Sequence, residues 1–186
     1  MPWSIVLPQA IFANPLLSVV TPITTGTLIG IQTNRQAKTK QVYSTLKKPP
    51  LYPPPWVFAP VWTILYGMMG FAAHHATVSG SINTYASSTI LQDWAASSQA
   101  LYTSQLMLNY LWMPLFFGLR KPGWALADIL LLGGNVAVLM HSWWKHDRVA
   151  FWLMAPYAAW LGFATYLNAG VGVLNGWTIG GRKKEE

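Results

Sequence analysis

Apolar residues gather into five long stretches along the chain, at 4–31, 55–78, 95–118, 123–144 and 149–177, with short polar joints between them. A helix rises 1.5 Å per residue, so about 20 mostly apolar residues carry it across the hydrocarbon of a bilayer. Each stretch is that long. The pattern predicts an all-α membrane protein, a five-helix transmembrane bundle forming a single domain. Residues 32–54 make a polar, proline-rich loop after the first span, and 178–186 a charged tail. Pro8, Pro15 and Pro22 interrupt the first stretch, and no basic segment precedes its apolar part. It reads as a span rather than a cleaved signal or transit sequence.

The polar residues inside the stretches fall on helical stripes. Gln105, Asn109, Trp112 and Phe116 stand at i, i+4, i+7 and i+11. In the fifth stretch Tyr157, Ala164, Asn168 and Asn175 share a face, with Trp160 at its edge; in the second, Trp62, Tyr66 and Met69 form a stripe. Amides avoid lipid, so these faces turn inward. Two arrangements satisfy them: a pocket walled by aromatic rings with a few amides, or amides that bond helix to helix. Pro22, Pro60, Pro114 and Pro156 would free the carbonyls of Ser18, Trp56, Tyr110 and Trp152. An internal cavity and local adjustment by neighbouring helices accommodate such carbonyls equally well.

Composition supports the membrane reading. Only 9% of residues are charged and 53% are hydrophobic, against about 25% charged in a soluble domain. Five buried helices in water would lack polar residues for an outer surface. The charge is uneven. Arg35, Lys38, Lys40, Lys47, Lys48, Arg120, Lys121, Arg182, Lys183 and Lys184 fall on one side of a five-span chain, and only Lys145 and Arg148 on the other. Basic loops stay inside, so the first loop and the carboxyl terminus are expected in the cytosol. The same scatter of basic residues between apolar stretches, with no reading motif, argues against a nucleic-acid partner.

Candidate chemistry is sparse. The absence of cysteine excludes disulfides and thiol nucleophiles. His74 and His75 are adjacent and point about 100° apart on a helix, so with His141 they make poor joint metal ligands, and no metal is expected. Asp128, one turn inside the fourth span, reads first as an interfacial partner of Arg120 or Lys121 and second as part of a site. Gly26 with Gly30, and Ala100 with Ser104, have the small-residue spacing that lets helices approach closely. The eleven tryptophans suit membrane interfaces and ligand pockets.

Three segments, "KKPPLYPPPWVFAPVWTILYGMMG", "QLMLNYLWMPLFFGLRKPGWALADILL" and "APYAAWLGFATYLN", together resemble the translocator protein family, also called the tryptophan-rich sensory protein or peripheral benzodiazepine receptor family. The resemblance covers about residues 15–175. It implies a five-helix transmembrane bundle, often a homodimer in contact with membrane lipids, whose cavity opens under the first loop. It implies binding of porphyrins such as protoporphyrin IX, related tetrapyrroles and synthetic apolar drugs, with no cofactor required. Matched by motif, the ligand-binding positions are Trp62, Asn109, Trp124, Trp160, Ala164 and Leu167, and the dimer motif is Ala100 and Ser104. Trp112 joins the ligand-binding positions from the stripe above. Some bacterial relatives promote light- and oxygen-dependent porphyrin degradation, for which the matching pair is Trp62 and Trp160. No acid–base pair, nucleophile triad or metal site is visible, so a receptor or carrier is the first reading, an enzyme the second and a non-catalytic partner in a larger membrane complex the third. The implied location is the mitochondrial outer membrane, with a bacterial or other internal membrane as the alternative. The sterol motif of animal members is missing, because no basic residue follows Tyr166 until Arg182.

The stretch "PPLYPPP" then reads as a stiff extended cover over the cavity mouth, with Trp56 at the interface. Trp62, Trp160 and Trp124 would stack on a flat ligand, and Asn109 would orient it.

Overall fold

In a computed structural model, residues 6–84 and 89–179 are described, apart from the side chains of Lys40, 80–84 and 89–93. The ends of the first predicted span and of the tail, at 4–5 and 180–186, lie outside these residues. The elements are α1 (Gln9–Ala13), α2 (Pro15–Ala37), α3 (Thr39–Thr45), α4 (Pro55–Thr84), α5 (Thr89–Met113), a π-helical turn (Pro114–Gly118), α6 (Pro122–His146) and α7 (Arg148–Leu174). No strand occurs among the described residues. Three segments, Pro15–Ala37, Pro55–Ser79 and Pro122–His146, are long and apolar enough to cross a membrane. α5 and α7 match them in length. α5 is less apolar because it carries Gln99, Gln105 and Asn109; in α7 much of the hydrophobic surface is Ala, Gly, Tyr and Trp.

The chain start departs from the predicted single span. Asn14 ends α1 and caps α2: its Oδ1 accepts the N–H groups of Leu16 and Leu17 at 2.9 and 3.2 Å. Pro15 at the first helical position has no N–H to satisfy, which suits it to a helix start. α1 then folds into the end of the bundle. Phe12 is buried edge-on against Tyr102, and its carbonyl accepts a hydrogen bond from His74 Nδ1 at 2.7 Å. α2 continues to Ala37, past the expected end at Ile31, because Gln32–Ala37 are polar yet helix-compatible residues. α3 occupies part of the predicted loop.

α4 packs against α2, α5 and α7, and α6 against α5 and α7. In lipid, helices associate by close packing more than by hydrophobic exclusion. α2 and α4 approach closely enough for backbone contact. Pro22 deprives the Ser18 carbonyl of its helical donor, and that carbonyl lies where a Cβ on Gly70 would stand. Gly26 likewise lies under the Tyr66 ring of α4. Of the small-residue pair on α2, Gly26 therefore serves packing within the chain.

Two joints fix the ends. Asp147 is the single residue between α6 and α7. Its Oδ1 accepts the Ala150 N–H at 3.0 Å, capping α7, and its Oδ2 accepts from His75 Nδ1 of α4 at 2.7 Å. At the opposite end α7 closes at Gly176, φ 63°, with the Trp177 N–H bonded to the Gly172 carbonyl at 2.7 Å. The extended segment after α3 is tied there. Asn175 accepts from the Lys47 N–H at 3.0 Å and donates to its carbonyl at 2.9 Å. The Tyr166 hydroxyl donates to Pro50 O at 3.0 Å, and the Pro49 ring rests on Gly170. The proline segment lies against the last turns of α7, and Asn175, expected on an inward face, is one of its ties.

Candidate functional site

Trp62 stands two turns inside α4 and meets three rings: Tyr66 at 5.2 Å, Tyr157 at 6.3 Å and Trp160 at 6.5 Å between centroids. These spacings are those of attractive offset and edge-to-face pairs. The cluster continues outward to the covering segment. Trp160 meets Phe58 at 6.0 Å, Phe58 meets Tyr52 at 6.4 Å, and Tyr52 meets Tyr43 at 5.4 Å. The Lys48 ammonium sits 4.1 Å over Tyr43. Burial raises the Tyr52 phenol well above its usual pKa, with Tyr43 adding to the effect, and burial raises Tyr43 too. Both stay neutral at ordinary pH.

Inward of Trp62, three helices share one polar chain. The Tyr66 hydroxyl of α4 donates to Asn109 Oδ1 of α5 at 2.7 Å, and Asn109 Nδ2 donates to the Tyr157 hydroxyl of α7 at 3.0 Å. A second chain lies nearer the covered end. Trp112 Nε1 donates to Asn168 Oδ1 at 3.0 Å, and Asn168 Nδ2 donates to the Pro122 carbonyl at 2.9 Å. Both asparagines therefore bond helix to helix, and Asn109 does so at the floor of the aromatic cluster. Trp112 also stacks on Phe116 at 5.0 Å. Pro114 starts the π-helical turn, in which the Leu119 N–H reaches the Pro114 carbonyl at 2.8 Å. This wide turn buries both Phe116 and Phe117, though they are neighbours in sequence.

The other sequence-predicted residues are less uniform. Ala164 packs against the main core, and Leu167 is buried. Trp124 is 70% exposed and joins none of the ring contacts among the described residues. The buried stripe of α6 runs through Ala125, Asp128, Ile129, Leu132 and Val136. Trp124 stands one residue, about 100°, off that stripe. Ala100 and Ser104 are half-buried on α5, where the Ser104 hydroxyl accepts from Asn135 Nδ2 of α6 at 2.6 Å. Asp128 does not pair with Arg120 or Lys121. It is 4% exposed with both carboxyl oxygens unpartnered, while both cations are exposed. Its place on the inward stripe, rather than its distance from the helix end, decides this.

Sequence reading left out Phe58 and Tyr52, and it did not identify Tyr66 and Tyr157 as partners of Asn109. Phe58 is four residues before Trp62, so its shared helix face was available as a signal. The partnership of Asp147 with His75 had no sequence signal, since it depends on how α4 lies against α7. Two hollows lie off the aromatic cluster. One of ≈ 10 Å³ touches Phe12, Tyr102 and Trp143, and a groove of ≈ 440 Å³ follows α2 beside the π-helical turn.

The TspO/MBR family model matches residues 18–174. A translocator protein homolog of Schizosaccharomyces pombe is 38% identical over 154 residues, 83% of this chain and 87% of that one. The human translocator protein is 41% identical over 145 residues, 77% of this chain and 80% of its own. A tryptophan-rich sensory protein of Cereibacter sphaeroides is 34% identical over 160 residues, 86% of this chain and 87% of its own. Matched over most of its length by the family model and by relatives from yeast, animal and bacterium, the chain belongs to the TspO/MBR family of membrane proteins.

Proposed function

We propose that this protein is a five-span membrane receptor or carrier for porphyrins and other flat apolar molecules, bound among Trp62, Trp160 and their neighbours. The observation that carries this reading is the contact of Trp62 with Trp160 above the Asn109 amide. A flat macrocycle inserted between the two indoles would replace edge contacts with stacking over a larger area. Asn109 supplies a fixed polar group at the floor, and Ala164, Leu167 and Trp112 supply wall. The covering segment is built of prolines, which lowers the ordering cost of closing over a ligand. Five long helices and the ten basic residues on one side support a topology with that covered end in the cytosol. The host membrane is the mitochondrial outer membrane or a bacterial counterpart.

Titration of the purified protein with protoporphyrin IX, read by quenching of the remaining tryptophans, tests the reading. Trp62→Ala and Trp160→Ala are each expected to raise Kd roughly tenfold, since a flat ring stacked on an aromatic side chain is worth ~1–3 kcal/mol. An unchanged Kd in the double variant would remove the site.

The 6.5 Å pair also favours a second reading, in which the indoles give electrons to a photoexcited porphyrin that oxygen then degrades. Illumination of the complex in air should give a new product spectrum that Trp62→Phe with Trp160→Phe abolishes. Identical bleaching in that variant rules out participation of the pair.

A further inference from the structure

The groove along α2 changes character along its length. Leu28 and Ile29 line it toward the middle of the bundle, Gln32 and Gln36 line it nearer the helix end, and Pro114 and Gly118 of the π-helical turn form the facing wall. Eight residues separate Leu28 from Gln36, a rise of about 12 Å. Four exposed cations flank these lining residues along the chain: Arg35 and Lys38 on either side of Gln36 and Ala37, and Arg120 and Lys121 just after Gly118. Both walls end in a basic residue with left-handed backbone, Lys38 at φ 49° and Arg120 at φ 56°.

Among the described residues these charges have no carboxylate partner. The ion pair found among the described residues, His75 with Asp147, is at the opposite end of α4 and α7. Asp128 is buried inside the bundle. The groove therefore grades from apolar to amide over about two helix turns, with cations flanking its polar end. That is the sequence of acyl chain, ester and phosphate in a glycerophospholipid. Its volume of ≈ 440 Å³ fits a headgroup with the first part of its chains, being within the ~300–1,000 Å³ of ordinary ligand sites. A free phosphate would leave the apolar half unused, and a zwitterionic lipid would leave the cations unneutralised.

We propose that this groove holds one anionic phospholipid from the leaflet facing the basic loops. Arg35 and Arg120 grip the phosphate as paired donors, since guanidinium matches phosphate oxygens in geometry as well as charge. Gln32 and Gln36 meet the ester region, and the acyl chains follow Leu28 and Ile29. The proposal rests on the membrane topology given above and is independent of the porphyrin site.

Native mass spectrometry of the full chain in detergent, titrated with phosphatidylglycerol or phosphatidylcholine of the same acyl chains, provides the test. One phosphatidylglycerol should bind first, at least about tenfold tighter than phosphatidylcholine. Arg35→Gln with Arg120→Gln should erase most of that preference, because each basic residue is worth about fivefold toward an anionic lipid. Gly118→Leu should weaken both lipids, since the space around Gly118 is open and a side chain there would occupy the groove. Protoporphyrin quenching should be unchanged in all of these variants, so the two readings succeed or fail separately. Equal binding of both lipids to the unaltered chain, or an unaltered preference in the arginine variant, overturns the proposal. So does competition by glycerol 3-phosphate at the same concentration as the lipid, which would make the headgroup the whole ligand. If the arginine variant does not fold, an unaffected phosphatidylglycerol adduct in Gly118→Leu overturns it alone.

Discussion

Gly70→Ala is expected to lower the stability of the bundle by ~3 kcal/mol, the upper part of the usual range for forcing a methyl group into a packed interior. The added carbon would overlap the carbonyl oxygen and carbon of Ser18 and crowd the Cα of Val19. These are backbone atoms of α2, which cannot turn aside as a side chain does. The carbonyl is there because Pro22 has no N–H to hold it inside its own helix. Relief would require α2 to lift away from α4, taking the Tyr66 contact at Gly26 with it. Thermal unfolding in one detergent measures the effect. Gly134→Ala and Gly162→Ala are the controls, since nothing stands within 4 Å of a methyl group at either site. Alanine also suits a helix better than glycine by ~1 kcal/mol. Equal melting of Gly70→Ala and the controls would show that α2 and α4 are not in backbone contact.

The second large effect is expected at Asn109. Asn109→Leu nearly preserves volume and removes both partners of two buried hydroxyls, on Tyr66 and Tyr157. Each stranded hydroxyl costs ~1–3 kcal/mol, so a loss of ~2–6 kcal/mol follows. A packing defect alone could produce such a number, and the distinguishing measurement is the triple variant. Adding Tyr66→Phe and Tyr157→Phe removes the hydroxyls that lack partners, and most of the lost stability should return. Additive losses instead would mean that the three side chains do not act as one network.

Helix positions were legible where proline punctuates the chain. Pro55 and Pro122 begin α4 and α6, as their missing N–H groups allow at a first helical position. The same rule applied to Pro15, with Asn14 before it, marks the split between α1 and α2; treating the prolines as interruptions of one span hid it. The inward faces of Trp62, Asn109, Trp112 and Trp160 followed from spacing, because a polar or amphipathic side chain in a membrane helix has few alternatives. Spacing does not say which amide meets which hydroxyl, since that depends on the height of one helix against another. Trp124 and Asp128 show the same limit from the other side. A motif locates a residue along a helix, while one residue of phase decides whether it faces a neighbour or the surroundings.

The bond from His75 to Asp147 has a mechanical consequence. Trp62 lies thirteen residues from His75 on α4, and Trp160 lies thirteen from Asp147 on α7. Each indole is thus about 20 Å along its helix from the same rivet. The two helices form the arms of a pair of tweezers, pinned at one end and tipped with tryptophan toward the other. Widening the tips by some 2 Å takes a swing of only about 6° on arms of that length. Under the proposed function, a planar guest would enter without sliding or unwinding of the helices, by a slight parting of the arms with the bonds from the proline segment to Asn175 and Tyr166 released.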